Sequence, residues 1–169
     1  MRPGTAFAAL SIFLLVVGGV ARGAGENHRE SLRGLTGVSV RVERLSESAT
    51  LDGLDARSIQ TDAEQKLKQA GIAVLTAAQA AQEPGSPVLY ISVNAKLPYN
   101  SPSYAVMVTV SVLQNVVSAR DAKLPLREVK TWDAGYLTAL DPSLLKKART
   151  TVGDLVAEFV KDWRAVNQK

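Results

Sequence analysis

The 169-residue chain is 46% hydrophobic and 21% charged, with a formal charge of +4, a single histidine and no cysteine. No disulfide, thiol redox couple or cysteine metal site can be built from it. One histidine supports neither a nucleophile–histidine arrangement nor a zinc site of ordinary ligand type. Interspersed charges this close to neutrality give no electrostatic footprint for nucleic acid.

The chain opens with a positive charge at Arg2, an apolar run from Ala6 to Val20, and the small residues Ala21 and Gly23 around Arg22. That is the pattern of a secretory signal peptide over residues 1–23, cleaved near Gly23. A run of about 15 apolar residues, interrupted by Gly18 and Gly19, is short of the ~20 that a spanning helix needs, so an anchor is the lesser alternative. The expected compartment is the periplasm, and without a cysteine there is no lipid attachment point. Cleavage removes two arginines and no acid, so the mature chain is nearly neutral. Residues 24–169 then suit one α/β domain, with 24–31 polar enough to read as a flexible lead-in.

Val38, Val40 and Val42 alternate with Ser39, Arg41 and Glu43, predicting a strand with one dry face. Residues 46–53 read as loop. A helix follows from about Asp55 to Ala70, closed by Gly71, though Thr61 and Glu64 have the spacing of a later start. Ile72–Leu75 is a short apolar strand. Thr76–Gln82 suits one or two helical turns, and the Pro/Gly-rich stretch 83–87 a loop. Two longer strands, Val88–Leu97 and Tyr104–Val117, are joined by a connection short enough for an antiparallel hairpin. The second is dense in valine, which disfavours helix through restricted χ1. Residues 120–125 read as a turn, and Leu126 to about Leu137 as a fourth long strand. Asp141-Pro142 has the form of a helix start. From there Leu145, Ala148, Val152, Leu155, Val156, Phe159, Trp163 and Val166 make one apolar stripe.

The order β-α-β-β-β-β-α predicts an α/β (α+β) two-layer sandwich: a mostly antiparallel sheet of about four or five strands, with two helices on one face. Its other face is semi-polar and suited to solvent. The stretches Leu32–Glu43, Leu51–Ile72 and Pro87–Val93 resemble an uncharacterised family of exported bacterial proteins. The element order is also similar, at fold level, to the amino-terminal domain of the Tol–Pal translocation protein. The resemblance implies a small periplasmic accessory domain and brings no site residues with it.

No constellation in the sequence announces chemistry. His28 lies in the polar lead-in. The close carboxylate pairs, Asp52 with Asp55, Asp62 with Glu64 and Asp154 with Glu158, fall where capping and solvation account for them. The glycines form no phosphate loop. No cofactor or metal is expected. The aromatics are more suggestive. Tyr99 and Tyr104 flank the 100–103 connection, and Trp132 stands on the fourth long strand. These three are the candidate binding residues, against the plainer reading that the tyrosines cover a sheet end and Trp132 is core.

The expected function is therefore a non-catalytic periplasmic binding or accessory domain. It would engage an envelope protein, or itself as a homo-oligomer, through a sheet edge or the exposed sheet face. Small hydrophobic ligand or lipid binding between sheet and C-terminal helix is the alternative. A carboxylate-dependent hydrolase is the third.

Overall fold

The structure is a computed structural model and describes residues 20–21 and 25–168. The leader expected over 1–23 lies outside the described residues except for Val20–Ala21. One sheet of six strands has the order β1-β6-β5-β4-β2-β3. The strands are β1 (Val20–Ala21), β2 (Gly37–Val42), β3 (Ala73–Leu75), β4 (Val88–Lys96), β5 (Tyr104–Ser118) and β6 (Asp121–Leu140). The helices are α1 (Gly25–Glu30), α2 (Glu47–Leu51), α3 (Ala56–Gln69), α4 (Ala77–Ala80) and α5 (Lys147–Asn167). The two long helices, α3 and α5, pack together and against the sheet. This is the expected two-layer sandwich. Its β4-β5-β6 meander is antiparallel, while β2 pairs parallel with both β3 and β4.

Local chemistry sets the element ends. The Asp55 carboxylate accepts from the Arg57 and Ser58 N–H groups, so α3 starts there and not at Thr61. Gly71 at φ 81° ends it, with the Ile72 N–H donating back to the Leu67 carbonyl at 3.0 Å. Ile72 and Leu67 are both buried, as this type of helix end prefers. The chain then returns as β3 beside β2. Gly37 is required at that contact, because a Cβ there would lie 2.6 Å from the Ala73 carbonyl oxygen.

The stripe on α5 is the core's centre. Ala148, Val152, Leu155, Val156, Phe159 and Trp163 are buried against Val106, Val108, Val110 and Val112 of β5 and the core-facing residues of β4 and β6. Each large apolar side chain there stabilises the fold by roughly 1.5–3 kcal/mol before ordering entropy is charged. Both ends of the helix region are tied by polar contacts. The Trp163 indole N–H donates to the Leu35 carbonyl at 2.7 Å, and the Asn167 amide bridges Gly34 and Leu32. Near the other end, Arg149 makes a two-point contact with Asp62 of α3, one arm of it at 2.8 Å.

Four local expectations need correction. Residues 46–53 are not a plain loop: Ser46 caps α2, whose Ala49 is fully buried. Residues 25–30, read as a lead-in, are helical, and Arg29 reaches Asp162 of α5 at 3.0 Å while Ser31 donates to the Thr131 carbonyl. Residues 121–125 continue β6, with the turn confined to Ala119-Arg120. The final helix is not continuous from Asp141: a 3-10 turn over Pro142–Leu144 precedes α5.

Candidate interaction surface

The three aromatics singled out from the sequence are not brought together. Tyr99 is 95% exposed on the loop between β4 and β5. Tyr104 is buried, and its hydroxyl donates to Asp52 Oδ2 at 2.7 Å, a hydrogen bond that raises the phenol above its ordinary value. Trp132 is also buried, edge-on to Phe159 with ring centroids 5.4 Å apart. Its indole N–H donates to Asp162 Oδ2 at 3.1 Å. Tyr104 and Trp132 are thus packing residues, because alternation along β5 and β6 turns both toward the helices. Only Tyr99 is available to a partner.

The available surface lies on the other side of the sheet. The strand register places Asn94, Met107 and Leu137 in one row across β4, β5 and β6. Lys96, Ala105 and Ala139 form the next row, and Ser92, Thr109 and Gly135 the row on the opposite side. Neither α3 nor α5 covers this face. Its apolar residues in these rows are small except for Met107 and Leu137, which are 36% and 60% exposed. Gly135 has a structural reason here: a Cβ on it would sit 3.1 Å from the Thr109 methyl and 3.3 Å from the Met107 methyl. Beside this patch, Arg41 lies over the Tyr90 ring at 5.2 Å. Partial burial and the neighbouring Glu43 raise the Tyr90 phenol.

Beyond Leu113 the β4 strand has ended, and β5 and β6 continue alone as a two-stranded arm. The register slips just before it, between Val112 and Leu113, and at two places along it, and Glu128 has φ 49°. At the root, Glu128 is held by Arg41 at 3.0 Å, which depresses the carboxyl below its usual value. Along the arm Val117, Leu124 and Leu126 are exposed by 63%, 51% and 40%. Sequence reasoning missed this element. The signal was the alternation of Leu124 and Leu126 with Lys123 and Arg127, hidden by Pro125. That proline is tolerated opposite Val117 because β6 is an edge strand here.

Under the arm's root a cleft of about 900 Å³ runs past β3 and α4, with Gln60, Glu64, Val74, Thr76, Arg41 and Arg127 among its walls. Glu64 accepts from Gln60 at 2.8 Å. Several other carboxylates are engaged by neighbours: Asp52 by Tyr104, Asp62 by Arg149, Asp162 by Trp132 and Arg29. His28 Nδ1 lies 3.7 Å from Asp133, next to Lys130. Among the described residues, no three His, Asp or Glu side chains are grouped so as to hold a metal ion.

The fold and surface define a class: a small α+β domain with one sheet face left open and a projecting hairpin. No family model matches the chain, and no curated protein matches it. Solved structures similar to it include two PelC dodecamers from Paraburkholderia phytofirmans. One, a point variant, has a TM-score of 0.47 at 18% identity, with 86% of this chain and 98% of that one covered. The other has a TM-score of 0.46 at 18% identity, covering 90% and 99%.

Proposed function

We propose that this chain is an exported, non-catalytic accessory domain of the periplasm that works by protein contact through its open sheet face. The observation that carries the reading is that face itself. Met107 and Leu137 stand exposed side by side on it, and the arm that continues the same two strands carries three more exposed apolar side chains farther along. The carboxylates at Asp55, Asp62, Glu128 and Asp141 are all held below their ordinary values by hydrogen bonds. Such groups stay ionised near neutrality and are unsuited to general-acid work. The space between sheet and α5, where an apolar ligand would lie, is filled by the fully buried Val156 and Phe159 and the nearly buried Val152.

The test is Leu137→Glu. At 60% exposure the change leaves stability within about 0.5 kcal/mol. Pull-downs from envelope extracts and native mass spectrometry should show loss of the complex formed by the wild-type chain. A wild-type chain that is monomeric and partnerless in both measurements, or a complex indifferent to Leu137→Glu, refutes the reading.

A further inference from the structure

The arm projects away from the far part of β6. Its tip and the far part of β6 lie on one strand, so Lys123 and Tyr136 are about 40 Å apart at ~3.3 Å per residue. The arm from Gln114 to Lys130 is basic on balance: Arg120, Lys123, Arg127 and Lys130 outnumber Asp121 and Glu128. Arg120 and Lys123 make no ion pair among the described residues, and neither do Asp154 and Glu158 of α5. Those two acids flank a groove of about 380 Å³ between α5 and the β6 edge, floored by Leu155 and Tyr136. The same edge takes an added strand in β1, which pairs with Gly135 and Tyr136.

One chain therefore carries an apolar, basic projection and, out of its own reach, an apolar groove rimmed by acids. We propose that the occupant of this groove is the arm tip of a second copy of the chain. Arg120 and Lys123 face Asp154 and Glu158 of the neighbour, and Leu124 enters beside Leu155 and Tyr136. The contact joins two different surfaces, so it is head-to-tail. Repetition closes a ring if the rotation allows, and otherwise extends a filament. This inference rests on the reading that the domain works by protein contact; it adds to the open sheet face a second contact and names the partner there.

Charge exchange tests it on the full chain. Arg120→Glu with Lys123→Glu, and separately Asp154→Lys with Glu158→Lys, should each weaken self-association by at least about tenfold in sedimentation equilibrium. Mixing the two variants should restore association, because each then offers one surface of the complementary charge-reversed pair. Wild-type association should also fall as salt rises. All four side chains are at the surface, and unchanged circular dichroism checks the fold of each variant. Variants that associate like wild type, or a wild-type chain that stays monomeric, overturn the inference. So does a mixture that fails to recover. Binding of the arm to anionic phospholipid vesicles, lost in the arm variant while the groove variant changes no self-association, overturns it in favour of a lipid surface. Loss of envelope complexes in Leu137→Glu alongside silent charge variants would remove the head-to-tail contact and leave the proposed function standing.

Discussion

Trp132→Ala separates packing from recognition most sharply, since the same residue is a plausible contact aromatic in sequence and a core residue in space. The side chain is 2% exposed, so truncation leaves a cavity facing Phe159 and costs about 3–5 kcal/mol. Loss of the edge-on aromatic pair accounts for roughly 0.5–1.5 kcal/mol within or above that. The hydrogen bond to Asp162 adds less than a buried charge would demand, because the carboxylate keeps Arg29 at 3.0 Å. A total near 4–5 kcal/mol is a large share of the ~5–15 kcal/mol typical of a domain. Trp132→Phe, which keeps a ring and loses the donor, should cost about 1–2 kcal/mol. Urea unfolding followed by far-ultraviolet circular dichroism reads both as shifted midpoints at constant slope. Tyr99→Ala, at a residue 95% exposed, should stay within about 0.5 kcal/mol in the same assay. If Trp132→Ala unfolds like wild type and loses only association, the division between core and surface is wrong.

Two further outcomes follow from the packing and the charges. Gly37→Ala should destabilise by about 1–3 kcal/mol, since its Cβ would meet the Ala73 carbonyl oxygen at 2.6 Å and the Ala73 Cβ at 2.8 Å; a wild-type urea midpoint would show that β3 yields freely. Acid should weaken the fold. Asp55, Asp62, Glu128 and Asp141 have folded values below their unfolded ones, so their contribution is present above about pH 4 and is lost as pH falls through the folded values. Midpoints measured from pH 7 to pH 2 should fall below about pH 4, and a rise there would contradict the assignment.

The layers were legible in the sequence because period and end signals agree in them. The α5 stripe, the valine alternation of β5 and the Gly71 stop each admit one local structure, and those structures can share one core. The short helices α1 and α2 were not legible. Each region is held by partners distant in sequence: Arg29 by Asp162, Ser31 by Thr131, and Asp52, at the end of α2, by Tyr104. Trp132 and Tyr104 were ambiguous for a related reason. Strand alternation says that two faces differ and leaves open which is covered until the helices are placed, and that placement turns both residues inward.

The arm shows why the surface resisted the same reasoning. A two-stranded ribbon is marginal in water unless something packs on it, so an arm carrying Val117, Leu124 and Leu126 toward solvent is unfinished as a folding unit. Its root is fixed by Arg41–Glu128 and by Asn115, which accepts from the Glu128 N–H. At its tip the polar contacts are local: the Arg120 N–H donates to Ser118 Oγ and the Lys123 N–H to Asp121 Oδ1. Residues 121–125 therefore look like a turn when read alone, because what makes them part of β6 is the pairing with β5, Asp121 opposite Ser118 and Pro125 opposite Val117. Polar substitution at Leu124 should accordingly leave the body of the domain intact and act only where a second surface meets the tip.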